Sequence, residues 1–416
     1  MSKHVLARGR GAGNRRKFGP APASGSSPSP SDFKSHAEAA RMPVQSKHFV
    51  DPHFRFQPLP EPRGQAPFRF ELNQLLHKDE VDKIAASNKM VFHTVGDTGD
   101  ERGRQMDFVA TMMTQDYDNS PEGETPAFFY HLGDVVYFAG DIDAYGENFY
   151  ETYAEYPGLI VSIPGNHDCQ PDDPQDGPVD PRKKPLDGWV QNFMTDDPTR
   201  LGSLKTTSQR TQMNLPNVYW TFTTPHATII GLFSNVSETE AELHKDQIDW
   251  FKGELKAADP NKALIVTIHH PPFSGDTEHS GSTVAEQVLF QSFAETGTYP
   301  HLILSGHVHN YQRFTVRQDV KGGSYEIPCV VAGAGGYTKL GKLHKINGRP
   351  ASAPLMLSDT LRLEAYDDEF FGFLRLEVSK TEIVGTYFSA DYQVSEAPRA
   401  RMTDGFTVDL TARTVR

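Results

Sequence analysis

The sequence predicts an α/β fold built from two β-sheets packed face to face and flanked by helices around a βαβαβ core. Two observations predict it. Between residues 88 and 310, short apolar runs alternate with helix-like stretches, as in βαβ units with a mostly parallel inner sheet. After residue 320 the segments EIPCVVAGAGGY, FGFLRLEVSK, TEIVGTYFSA and GFTVDLTA read as strands separated by turn signals, which predicts a second sheet packed on the first.

Five of the early runs stop on clusters of polar, metal-binding residue types. KMVFHTV leads to GDTG with Asp97, AFFYHL to GDVVY with Asp134 and Tyr137, and LIVSI to PGNHD with Asn166 and His167. ALIVTI leads to His269 and His270, and HLILS to GHVH with His307 and His309. Continuous apolar runs of this length are the pattern of strands buried on both faces. In open α/β sheets the ligand site lies beyond the carboxyl ends of such strands, so residues from 97 to 309 are expected to meet at one edge.

Between these blocks, residues 170–217 are rich in Asp, Pro and charged residues with little periodicity, and are expected to form a long loop over the site. VYWTFTT and ATIIGLFSN read as a hairpin, followed by a helix for which Ser237 or Thr239 is the expected cap. Leu243, Gln247, Trp250 and Leu255 share one face of that helix.

The chain has 416 residues, 37% of them hydrophobic, and no apolar run long enough to span a bilayer. Its two cysteines, Cys169 and Cys329, cannot build a framework of several disulfides, which leans towards a reducing compartment. The net charge of −13 divides unevenly: residues 1–50 contain nine Lys/Arg and two acids, and the rest is strongly acidic. An acidic body argues against nucleic-acid binding through phosphate contacts, while bound multivalent cations would still admit an anionic substrate. Residues 1–65 form a basic, Pro/Gly/Ser-rich segment expected to be a disordered tail, with 66–416 a single domain. The tail has no apolar stretch of a secretory signal; a cytoplasmic location is the leaning, with an organellar transit segment as the alternative.

Singly, each site residue has a plain explanation. An Asp after a strand usually makes a turn or a helix cap, and a lone His is usually a satisfied polar residue. Together they supply carboxylates able to bridge cations, imidazoles and an amide oxygen for borderline metals, and a phenol suited to Fe(III).

The order Asp97-Thr98-Gly99, Gly133-Asp134-Val135-Val136-Tyr137, Gly165-Asn166-His167-Asp168, Val266-Thr267-Ile268-His269 and Gly306-His307-Val308-His309 resembles the five blocks of the purple acid phosphatases. These are a branch of the calcineurin-like metallophosphoesterases. The wider superfamily places a ligand His where Gly99 stands, whereas the purple acid phosphatase branch lacks it and has a tyrosine three residues after the second Asp. The resemblance covers about residues 88–340 and implies a four-layer α/β/β/α metallophosphoesterase fold. It implies that Asp97, Tyr137 and His309 hold Fe(III), that Asp134 bridges, and that Asn166, His269 and His307 hold a divalent Zn, Fe or Mn. The activity implied is that of an acid phosphatase-like hydrolase, in which two cations activate a water for in-line attack on a small phosphomonoester.

His167 is then expected to hydrogen-bond the phosphate or the leaving-group oxygen, with Asp168 either orienting its imidazole or capping the loop. His279, in DTEHSG, is the candidate acid for the leaving group; it resembles the Glu-His-Gly stretch of short purple acid phosphatases, except that Ser280 replaces the glycine. Glu278 would raise the His279 pKa, the plainer alternative being an exposed surface histidine; His270, directly after a ligand and before Pro271-Pro272, is expected to be structural, with support of a neighbouring ligand as the alternative. The same two-metal chemistry would serve a phosphodiesterase, and a catalytically silent scaffold is the alternative of another class. Oligomeric state is not readable from the sequence.

Overall fold

The computed structural model describes residues 59–99, 105–170, 182–197, 199, 204, 206–237, 240–391 and 399–416. The basic segment therefore lies outside the described residues up to residue 58, as do residues 171–181 of the insert.

Among the described residues two large mixed sheets face each other. One has seven strands in the order Thr414–Val415, Arg399–Asp409, Glu382–Asp391, Gly372–Ser379, Lys89–Val95, Phe128–His131, Leu159–Ser162. The other has nine, in the order Arg69–Glu71, Trp220–Thr223, Ala227–Leu232, Ala263–Ile268, Leu302–Ser305, Gly323–Ala332, Tyr311–Val320, Leu361–Asp367, Leu355–Met356. Each has a parallel centre: Lys89–Val95, Phe128–His131 and Leu159–Ser162 in the first, and Ala227–Leu232, Ala263–Ile268, Leu302–Ser305 and Gly323–Ala332 in the second.

The predicted class is the one observed, but the assignment of strands to sheets differs from expectation. The five site-bearing runs do not share one inner sheet; three lie in the seven-stranded sheet and two in the nine-stranded one. The later strands do not form a sheet of their own either. Gly323–Ala332 joins the site-bearing strand Leu302–Ser305, and Gly372–Ser379 pairs antiparallel with Lys89–Val95. A strand buried on both faces carries no alternation that would identify its neighbour, so the run pattern left this open.

The pleat explains how the layers are held. Ile229 and Ile265 turn towards the opposing sheet, whereas Ile230, Val266 and Ile303 turn outward onto Phe251, Leu255, Leu289 and Phe293 of the helices Lys245–Ala257 and Thr283–Thr296. Phe92 stacks on Phe128 with centroids 4.9 Å apart, and Phe128 meets Phe222 of the other sheet edge-on at 5.1 Å. Each buried ring of this kind stabilises the fold by about 2 kcal/mol. Close to the site, the Tyr130 hydroxyl and Thr267 Oγ1 bond across the sheets at 2.7 Å.

Two local expectations are corrected. VYWTFTT and ATIIGLFSN do pair as a hairpin, but the following helix is Lys245–Ala257, capped by His244 rather than by Ser237 or Thr239. Residues Asn235–Ser237 and Glu240–Glu242 form a small hairpin first. The insert is not a structureless loop throughout: Asp187–Phe193 is helical, and its Trp189 and Phe193 are buried and stacked at 5.3 Å. Aromatic anchoring outweighed the polar composition around it.

Candidate metal centre

The seven ligand-type residues converge where the parallel strands of both sheets end. Asp97, Asp134 and Asn166 follow strands of the seven-stranded sheet, while His269 and His307 follow strands of the nine-stranded one. Three of them, Asp97, Asp134 and His307, have φ of 60°, 52° and 68°. The left-handed region costs a non-glycine residue about 1–2 kcal/mol, so the loops must hold them there. They do so through the carboxylates: Asp97 Oδ2 accepts the His307 N–H at 2.9 Å, and Asp134 Oδ1 accepts the His167 N–H at 2.8 Å. Gly165 is required by this packing, because a Cβ there would lie 2.1 Å from Asp134 Oδ1.

The donor atoms fall into two groups. The Tyr137 hydroxyl lies 3.2 Å from Asp97 Oδ1 and 3.3 Å from His309 Nε2. Asn166 Oδ1 lies 3.1 Å from His269 Nε2 and 3.0 Å from His307 Nδ1. Asp134 Oδ2 touches both groups, 2.8 Å from the Tyr137 hydroxyl and 3.3 Å from His269 Nε2. The ring of His269 is set by its Nδ1, which donates to the Leu132 carbonyl at 2.8 Å and so leaves Nε2 as the inward lone pair.

Electrostatics test whether cations suit this cluster. Burial pushes the Asp97 carboxyl far above the ordinary range, with the neighbouring Asp134 charge adding to it and His269 opposing. Burial acts on Asp134 in the same sense, but His269, His167 and Tyr137 outweigh it and hold that carboxyl well below the usual range. His269 in turn is raised to about 9, since Asp134 overcomes its burial. Burial lowers His307 and His309, and the crowd of imidazoles lowers them further. Burial, then Asp134 and Asp97, push the Tyr137 phenol up, so it ionises only against a strong positive charge. Two buried carboxyl groups, three crowded imidazoles and a phenol with their donor atoms turned together fit a pair of cations, which would relieve each of these penalties and take the place of the proton that Asp134 draws onto His269. Asp97, Asp134 and His269 offer ligand atoms within 4.8 Å of one another, as do His269, His270 and His307.

The remaining predicted residues divide. His167 packs against Tyr137 at 4.5 Å and against Phe138 at 4.7 Å, and its Nδ1 donates to the Phe138 carbonyl at 2.8 Å. Asp168 does not orient this imidazole. It is the third residue of the short helix Asn166–Cys169, and its carboxylate folds back to accept N–H bonds from Gly165 at 2.8 Å and Val135 at 3.0 Å. It caps loops, and burial followed by the Asp134 charge raises its pKa to about 7. His279 reaches the site, its ring 4.9 Å from His307 and 5.1 Å from His309. Glu278 turns away to Lys339 Nζ at 2.7 Å.

Three contributors were not singled out from the sequence. Tyr337 stacks on Tyr137, and its N–H donates to the Asp97 carbonyl at 3.0 Å. His131 sits beneath the site with Nε2 2.9 Å from Thr98 Oγ1, and burial lowers its pKa to about 3. Asp276 holds the His279 loop by accepting the N–H groups of Glu278 and His279. The GAGGY ending after a buried strand is the signal that would have flagged Tyr337, since it repeats the run-then-glycine pattern of the other blocks.

Comparison with known proteins defines the class. The calcineurin-like phosphoesterase family pattern matches residues 90–311, more than half of the chain, and the chain belongs to that family. Within it, the chain is similar to purple acid phosphatases over part of its length. It is 29% identical over 107 residues to purple acid phosphatase 21 of Arabidopsis thaliana, a match spanning 24% of this chain and only 22% of that relative. Among solved structures, purple acid phosphatase PPD1 from yellow lupin (Lupinus luteus) superposes with a TM-score of 0.52 at 16% identity, covering 78% of this chain and 54% of that one. GAP50, the anchor in the inner membrane complex of Plasmodium, gives a TM-score of 0.51 at 15% identity, covering 76% and 89%. These two likenesses are of fold. Among the described residues no helix is long and apolar enough to cross a membrane.

Proposed function

We propose that the chain hydrolyses small phosphomonoesters at a centre of two metal ions, with residues 66–416 acting as one catalytic domain. The observation that carries this reading is the position of Asp134 Oδ2, within 2.8 Å of the Tyr137 hydroxyl and 3.3 Å of His269 Nε2, one from each donor group. In this reading Asp97, Tyr137 and His309 hold Fe(III), Asn166, His269 and His307 hold Zn, Fe or Mn, and Asp134 serves both. When bound, the ions supply Lewis acidity and positive charge for the phosphoryl group and its attacking water. His167, braced by Tyr137 and Phe138, binds a phosphate or leaving-group oxygen. His279, with 16% of its side chain exposed above His307 and His309, delivers a proton to the leaving oxygen.

The test is phosphate release from p-nitrophenyl phosphate against bis-p-nitrophenyl phosphate, by protein loaded with iron and with Zn or Mn. The expected result is a preference for the monoester. A strong preference for the diester overturns it in favour of a phosphodiesterase. Failure to bind metal, together with no activity on either ester, favours a silent scaffold, since a fold shared with an anchor such as the Plasmodium neighbour does not itself set an activity.

A further inference from the structure

We infer that His270 is an additional metal ligand, adding a third imidazole to the position formed by Asn166, His269 and His307 and tuning it towards Zn(II) over Mn(II). The inference rests on the two-metal reading above.

His270 directly follows His269 and is only 3% exposed. Successive side chains of a strand point to opposite faces, but the strand ends at Ile268, and the two imidazoles stand 5.1 Å apart with planes at 84°. The His270 ring also lies 4.1 Å from that of His307. Histidines 269, 270 and 307 thus offer ligand atoms that are all mutually within 4.8 Å.

The two nitrogens of His270 are treated differently. Nδ1 lies 2.8 Å from Ser234 Oγ, a hydroxyl that also accepts the His270 backbone N–H at 3.3 Å. Ser234 is itself held in place, because Gln247 bonds both the N–H and the carbonyl of Phe233 at 2.8 Å. Nε2 is buried and has no hydrogen-bond partner among the described residues. Most buried imidazole nitrogens have a partner, and this one is left without one beside two other imidazoles rather than against apolar neighbours. With Ser234 accepting Nδ1–H, Nε2 keeps its lone pair, the arrangement found when the second ring nitrogen of a ligating histidine is tied to an acceptor. Pro271 and Pro272 follow at once and restrict the backbone that carries the ring. With Asp134 and Asn166 as the two oxygen donors, a third imidazole makes nitrogen the majority of the set, which suits Zn(II) better than the oxygen-seeking Mn(II).

The test is calorimetric titration of the metal-free full chain with Zn(II) and, separately, with Mn(II), in wild type, His270→Ala, His270→Phe and His269→Ala. The phenyl ring keeps the packing without the nitrogen. Both His270 variants are expected to bind Zn(II) at one position about 10–100-fold more weakly, with a smaller loss for Mn(II). If they bind Zn(II) like wild type while His269→Ala is weakened, the His270 inference is overturned and the two-metal reading stands. If His269→Ala also binds like wild type, both fall. X-ray absorption at the zinc edge of wild-type protein loaded with Fe(III) and Zn(II) needs no substitution: three imidazoles per zinc are expected, and two overturn the inference.

Discussion

Tyr137 lies flat against Tyr337, ring centroids 3.8 Å apart and planes inclined by 20°, with the Tyr137 hydroxyl turned into the Asp97, Asp134 and His309 cluster. The stack fixes the phenol's direction before any cation arrives. Protein loaded with Fe(III) is expected to show a visible phenolate-to-iron band, measured by absorption. Tyr137→Phe should abolish it, and Tyr337→Ala should shift it while leaving it present. A Tyr137→Phe variant that keeps the band rules out iron at this residue.

Asp276 is a positioning residue for His279. Its Oδ1 accepts the N–H groups of Glu278 and His279 at 2.7 and 2.9 Å, and its Oδ2 accepts from Asn310 Nδ2 at 3.0 Å, which ties the loop to the residue after His309. If the chain hydrolyses p-nitrophenyl phosphate with His279 as proton donor, as proposed, Asp276→Ala should lower kcat about tenfold or more with little change in KM, because a small misplacement of such a donor is costly. Steady-state kinetics distinguish this from loss of folded protein, which would scale with active-site concentration.

Arg313 grips Asp404 with two bonds, Nε at 2.7 Å and Nη2 at 3.0 Å, and the Tyr311 hydroxyl joins them at 2.7 Å. The pair links a strand of one sheet to a strand of the other and is about nine-tenths buried. Asp404→Ala leaves a largely buried guanidinium without its counter-ion and should cost about 3 kcal/mol in urea denaturation at pH 7. A loss below about 1 kcal/mol would mean that water replaces the carboxylate there.

Acid should weaken the fold through His131. Burial lowers its pKa to about 3, below the ordinary value of 6.5, so the folded state keeps it neutral where the unfolded chain takes up a proton. A lowered base gives its full stabilisation above the unfolded pKa and loses it as pH falls. Between pH 7 and 5 the loss from this group is about 2 kcal/mol. His131→Gln should start less stable at pH 7 yet lose about 2 kcal/mol less over that interval. Parallel denaturation curves for wild type and variant, shifted equally at both pH values, would contradict this.

Much of the site was legible because its residues interrupt apolar runs. Asp97, Asp134, Asn166, His269 and His307 each stand just after a buried strand, where no packing need accounts for a polar side chain. Asp168 was ambiguous because one carboxylate beside an imidazole serves equally as its orienter or as a helix cap. Only the turn of Asn166–Cys169 directs it to the Gly165 N–H. Tyr337 was marked only by the GAGGY that follows its strand, a glycine-rich ending that carries no acid, amide or histidine. Asp276 was not legible in this way: its contacts run to the His279 loop and Asn310 through the folded chain, and nothing local marks it.

The sequence by itself determined the inventory of donors, their order, and their place at strand ends, since each follows from a run of residues that water would reject. The tertiary structure decided which strands share a sheet, that Asp134 Oδ2 falls between the Tyr137 hydroxyl and His269 Nε2, and that His270 turns Nδ1 to Ser234 and buries Nε2 without a partner among the described residues. The reason is that uniformly buried parallel strands carry no pattern naming their neighbours. Distances between residues far apart in the chain are set by crossovers and sheet packing, which appear only once the two sheets close on each other.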